Sequence, residues 1–198
     1  MTQPLDPTVW GGLFNVSPRR QPAVGSKVVG FRLCTMVEDE AGQLHLTSTG
    51  VGNHYWLPGI NTAHCVAQRR PSRIHRAPVQ TCTCGLYAGR DVAKLLRVLG
   101  PPVAPMVLCG IQAGGRIVVH EWGFRAEDAR IVAISAELPS RVLRDPSGQV
   151  IQVRARRGIE PWAAEELAQC YGAMLIDLDG MAGALQQFGD FIEEEEES

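Results

Sequence analysis

The hydrophobic stretch Lys27–Val37 predicts a β-strand. The polar, glycine-ended run Glu38-Asp39-Glu40-Ala41-Gly42 predicts the reversal that returns the chain as a second strand over Gln43–Ser48. Gly50–Gly59 is irregular and aromatic. Over Arg90–Leu99 the spacing becomes helical: Val92, Leu95, Leu96 and Leu99 form an apolar stripe and Asp91 sits in the positive first turn. Gly100-Pro101-Pro102 stops that helix. Pro105–Gln112 and Arg116–His120 read as the arms of a second hairpin about Gly114-Gly115. Arg130–Ala136 reads as a strand, and Ser140–Val153, around Asp145-Pro146-Ser147-Gly148, as a loop or third hairpin. The C-terminal part is predicted as a helix over Glu160–Cys170 with Pro161 in its first turn, closed at Tyr171-Gly172. A buried strand over Ala173–Leu178 and an amphipathic helix over Met181–Phe191 complete the set.

These elements predict an α+β fold of mixed and antiparallel hairpins with a few helices and a small metal-stabilised loop. A length of 198 residues supplies material for one core, and the body is read as one domain over 25–192. Residues 1–24, with Pro4, Pro7 and Pro18, read as a flexible arm from which Trp10, Leu13 and Phe14 could dock on the body. Residues 193–198 read as a disordered acidic tail. The composition, 45% hydrophobic and 20% charged, is that of a globular protein. No apolar run reaches the roughly 18 residues that a membrane-spanning helix needs. Met1–Gln21 has no continuous apolar block of the secretory kind, so a cytoplasmic location without membrane contact is expected.

Charge refines this picture. The net charge of −2 includes five glutamates, Glu193 to Glu197, so residues 1–192 carry −2 + 5 = +3. Arg69, Arg70, Arg73 and Arg76 crowd one loop, and Arg154, Arg156 and Arg157 form a second basic group. Arginine suits phosphate contact, and Tyr55, Trp56 or Tyr87 could stack on bases. Nucleic acid is therefore one candidate partner beside a protein partner.

The candidate chemistry lies in the cysteines. Cys34, Cys109 and Cys170 stand singly among apolar residues, as small buried hydrophobes do. Cys65, His75, Cys82 and Cys84 follow the spacing C-x9-H-x6-C-x-C within a turn-rich segment. Arg69-Arg70-Pro71-Ser72 and Ala77-Pro78 allow the segment to fold back, and Gly85 permits a bend that brings both C-x-C sulfurs onto one ion. Three thiolates and an imidazole make a closed tetrahedral site, the pattern of structural zinc. Such a site contributes on the order of 10 kcal/mol to folding. The same residues also suit an iron–sulfur cluster, an activated thiol at Cys82 or Cys84, or no metal at all; His64 rivals His75 as a ligand.

A second constellation ends the apolar run after Gly115. His120, Glu121, Arg125 and Glu127 could bind a polar ligand or carry out acid–base work. Alternatively, Arg125 pairs with Glu121 or Glu127 to fix the hairpin.

Trp56-x-Pro58-Gly59, Cys65, His75-x-Ala77-Pro78, Cys82-x-Cys84-Gly85-Leu86-Tyr87-Ala88 and Gly115-Arg116-x-Val118-Val119-His120 through Phe124-Arg125-Ala126-Glu127 together resemble an uncharacterised family of bacterial proteins. That family is chiefly actinobacterial and phage-borne. The resemblance spans about residues 50–135 and implies that the three cysteines and the histidine act as one unit; no activity comes with it. The functional expectation is a binding, regulatory or accessory module with structural zinc and no phosphate loop or standard catalytic signature. The alternatives are a nucleic-acid-binding zinc protein and a cysteine-dependent enzyme.

Overall fold

The computed structural model describes residues 27–49, 55–65, 75–93, 95, 105–144 and 147–192. Among these lie eleven strands: β1 (Val28–Glu38), β2 (Leu44–Ser48), β3 (Tyr55–Trp56), β4 (Asn61–Thr62), β5 (Leu86–Gly89), β6 (Met106–His120), β7 (Gly123–Ser135), β8 (Glu137–Arg144), β9 (Val150–Arg157), β10 (Met174–Leu175) and β11 (Asp190–Phe191). Two helices accompany them, α1 (Pro161–Tyr171) and α2 (Leu178–Leu185). The fold is α+β. The expected arm over residues 1–24 and the acidic tail over 193–198 lie outside the described residues. So does most of the helix expected at Arg90–Leu99, of which residues 92, 93 and 95 are described as helical.

The first hairpin forms where the polar run reverses. The Asp39 carboxylate accepts the Ala41 and Gln43 N–H groups, both at 2.9 Å, and β2 then pairs antiparallel with the end of β1. The expected hairpin about Gly114-Gly115 is instead one continuous strand, β6. Both flanks of the glycine pair face the same partner, β7. Gly114 pairs with Asp128 and Ile117 with Ala126, so Gly115 and Arg116 oppose Glu127 as a bulge. Gly115, at φ 69°, supplies the backbone conformation this needs. The chain turns back only at Glu121-Trp122. The stretch expected as a strand at Arg130–Ala136 is the second half of β7, and β8 with β9 forms the third hairpin as a separate two-stranded sheet.

β6 pairs on one side with β1 and on the other with β7. β5 lies antiparallel to β7 over Leu86–Gly89 and also meets β1 where Phe31 pairs with Gly89. The pairings β1–β6–β7–β5–β1 thus close into a ring. Closure brings backbone onto backbone at three glycines. A Cβ on Gly30 would stand 2.6 Å from the Gly89 carbonyl oxygen, and one on Gly123 would overlap the Ala88 carbonyl and stand 2.8 Å from the Gly89 Cα.

Alternation along β1 sorts the core. Val29, Phe31 and Leu33 join Leu108, Val132 and Ala133 under Leu178, Met181 and Leu185 of α2. Val28 and Cys34 join Val107, Cys109, Ile111, Phe124 and Trp56, with Ala163, Ala164, Leu167 and Tyr171 of α1. Cys34 and Cys109 are thus buried in the same core cluster, whereas Cys170, expected inside, is exposed on α1.

The C-terminal region departs from expectation in two places. Pro161 opens α1 and Gly172, at φ 60°, closes it, with the Ala173 N–H returning to the Ala168 carbonyl at 2.8 Å. The strand expected over Ala173–Leu178 shrinks to β10, where Leu175 is 45% exposed, because only two residues reach the edge of β7. The helix expected over Met181–Phe191 starts earlier, behind Asp177, and ends at Leu185. β11 then lies parallel to β1, with Phe191 stacked on Phe31 at 5.6 Å. Gly189 permits this approach, since a Cβ there would sit 2.8 Å from the Lys27 carbonyl carbon. No helix among the described residues is long and apolar enough to cross a membrane.

Candidate metal centre

β4 and β5 lie end to end along one edge of β7. Asn61 and Thr62 face Ala129 and Asp128, and Leu86 to Gly89 face Ala126 to Gly123. Between the two, the Ala63 N–H donates to the Glu127 carbonyl at 2.7 Å. The chain therefore leaves the edge at residue 64 and rejoins it at 85, and the candidate ligands sit at the neck of that excursion.

Cys65, His75, Cys82 and Cys84 bring one ligand atom each to within 4.8 Å of one another. Cys65 Sγ lies 3.7 Å from Cys82 Sγ, and His75 Nε2 lies 3.1 Å from Cys84 Sγ. Two sulfurs held at 2.3 Å from a common tetrahedral ion stand about 3.8 Å apart, whereas a disulfide needs about 2.05 Å. The spacing is compatible with a shared metal ion and too long for a disulfide, and all the cysteines are free. Cys65 and Cys84 are buried, while Cys82 and His75 are partly exposed. A turn with the Cys82 N–H on the Val79 carbonyl at 3.1 Å presents the C-x-C pair. Gly85, at φ 132°, follows it where a Cβ would come within 2.9 Å of the Arg125 Cβ.

The thiols are not equivalent. Burial opposes ionisation of Cys82, but the Cys84 N–H, the Cys84 and Cys65 thiols and the Arg125 guanidinium together hold it below the usual cysteine value. Burial pushes Cys84 up to about 12 despite the Val79 N–H, with Cys82 and Cys65 adding to the rise. Backbone N–H groups aimed at sulfur and a cation beside it are what a set of metal thiolates requires.

Side chains of the β6–β7 pair fasten the segment. Arg125, 3% exposed, donates to the Cys82 and Cys84 carbonyls, the latter at 3.1 Å, and its guanidinium lies 5.9 Å from the centre of the Tyr87 ring. Glu127, 4% exposed, accepts from Arg76 and, at 3.1 Å, from the Arg116 backbone in the bulge. Arg116 in turn donates to the Arg76 carbonyl at 3.1 Å and to the Pro78 carbonyl at 3.4 Å.

Of the second constellation, His120 and Arg125 lie close together, while Glu121 and Glu127 point to other surroundings. Glu121 is exposed in the turn, and Glu127 pairs with Arg76 where a pairing with Arg125 was expected. His120 is buried, and burial, reinforced by Arg125 and Arg90, drives its pKa down to about 3. His64 is exposed and outside the cluster. Trp56 is buried with its indole N–H on Ser48 Oγ at 3.2 Å, and Tyr87 donates to the Thr83 carbonyl. Of the three aromatic residues expected to stack on bases, Tyr55 is the exposed one, at 53%. Arg69, Arg70 and Arg73 lie outside the described residues, as do the side chains of Arg154, Arg156 and Arg157.

The molecule is therefore an α+β protein with a Cys3His cluster that could bind a metal ion. The chain matches no protein-family model, no curated protein and no solved structure with which it was compared.

Proposed function

We propose that the protein is a cytoplasmic binding or regulatory module whose loop over 65–84 is held by one structural zinc ion, and that its partner is another protein. The observation that carries this reading is the convergence of the four ligand atoms within 4.8 Å. That span suits a single ion, whereas an iron–sulfur cluster spreads its ligands farther apart. Three thiolates and one imidazole fill a tetrahedron, and catalytic zinc sites keep a position for water. Zinc is the ion that such a soft, tetrahedral set of donors favours. Its contribution to folding, on the order of 10 kcal/mol, would organise a segment with few apolar residues of its own.

Elemental mass spectrometry on protein purified without chelator tests the reading. One zinc per chain, lost in Cys84→Ser and kept in Cys170→Ser, supports it. Iron with visible absorbance, or no metal in the wild type, overturns it.

A further inference from the structure

Arg125 carries a full charge in a nearly solvent-free place, and no carboxylate lies within ion-pair distance of it among the described residues. Glu127, two positions along the same strand, is taken by Arg76 and by the Arg116 N–H. Beside Arg125, His120 is held neutral, so the imidazole adds no charge of its own. The contacts Arg125 makes run to two carbonyl oxygens and to the Tyr87 ring, all uncharged groups. A buried cation without a counter-charge is strongly destabilising. Its two carbonyl bonds instead hold Arg125 against the backbone of Cys82 and Cys84, two of the four candidate ligands.

We propose that the metal centre itself is the counter-ion of Arg125. This rests on the metal reading above and fixes its charge. Three thiolates and a neutral imidazole on a divalent ion sum to −3 + 2 = −1, which one guanidinium balances. Arg125 is thus a positioning and charge-balancing residue, joined to the ligands through the Cys82 and Cys84 carbonyls, and it does not itself ligate. Outer partners of this kind typically alter metal affinity 10- to 100-fold.

The experiment measures zinc affinity of the full chain by competition with a chelator of known strength, for wild type, Arg125→Lys and Arg125→Met. Each protein is also loaded with cobalt(II), whose visible spectrum reports the ligand set. Expected are a loss of 10- to 100-fold in Arg125→Met, substantial recovery in Arg125→Lys, and a spectrum of three sulfurs and one nitrogen in all three. Because the pair is buried, the difference persists at high salt. Unchanged affinity in Arg125→Met overturns the proposal, as does a lysine variant no better than the methionine one. If Arg125→Met fails to fold even with zinc, Arg125→Lys decides alone. An affinity within about tenfold of wild type then supports charge balance, and any larger loss overturns it and assigns the role to the carbonyl bonds. A wild type that binds no zinc sinks the metal reading, a separate and recognisable result.

Discussion

The Tyr171 hydroxyl donates to the Trp56 carbonyl at 2.7 Å and accepts the Leu46 N–H at 3.0 Å, so one side chain of α1 stitches β2 to β3. Both bonds are buried and bridge residues more than a hundred positions apart. Tyr171→Phe leaves the ring packed but two backbone groups short of a partner, at a cost of about 1–3 kcal/mol. Denaturant unfolding of the two proteins reads this directly; equal midpoints would assign the hydroxyl no energetic role. Burial also raises the Tyr171 pKa to about 12. Folded protein keeps this proton while unfolded chain releases it near pH 10, so stability falls as pH rises from about 10 to 12. Tyr171→Phe should remove that part of the alkaline decline.

Ring closure makes a sharp contrast between two glycines. Gly123→Ala places a methyl against the Ala88 carbonyl and the Gly89 Cα, backbone atoms that cannot swing aside. It should cost about 3 kcal/mol or more. Gly114→Ala points into open space on the same β6–β7 pair and should change stability by less than about 0.5 kcal/mol. Thermal unfolding of both variants tests the pair, and equal melting temperatures would mean the ring opens readily.

Acid should destabilise the fold through His120. Its folded pKa of about 3 lies below the ordinary value near 6.5, so between these pH values unfolded chain binds a proton that folded protein refuses. Stability is then fully present above about pH 6.5 and is lost as pH falls toward 3, at up to about 1.4 kcal/mol per pH unit. His120→Gln should flatten this slope in stability measured against pH, with metal content followed in parallel. An unchanged slope would place the acid sensitivity elsewhere.

Chelation and mutation should separate the loop from the frame. Removing the proposed zinc, or Cys65→Ser, is expected to expose amides of 75–85 to rapid hydrogen exchange while β1, β6 and β7 stay protected. Cys34→Ser should leave zinc binding intact, since Cys34 lies in the core beside Cys109. Uniform loss of protection on chelation would instead make the metal a condition for the whole fold.

Local chemistry was readable before the structure where it acts over a few residues. Pro161 and Gly172 bound α1, the Glu38–Gly42 run made its turn, and C-x9-H-x6-C-x-C gathered one cluster. Misreadings arose where a distant partner decides. A Gly-Gly pair marks a reversal only if its two flanks pair with each other, and here both were claimed by β7. The last helix stops at Leu185 because β1 offers an edge to Asp190 and Phe191, which periodicity cannot register. Arg125 lies forty-one positions from Cys84, and only the pairing of Tyr87 with Arg125 brings it beneath the cysteine pair.

Viewed from β7, the two short strands β4 and β5 are one strand interrupted, with Thr62 opposite Asp128 and Leu86 opposite Ala126. Only Glu127 separates the point of departure from the point of return. An ion fastening Cys65 to Cys84 would act as a clasp across that interruption. Cys65 and Cys84 thus stand where the two halves of one sheet edge part and rejoin, so the ion would close a seam of the sheet itself.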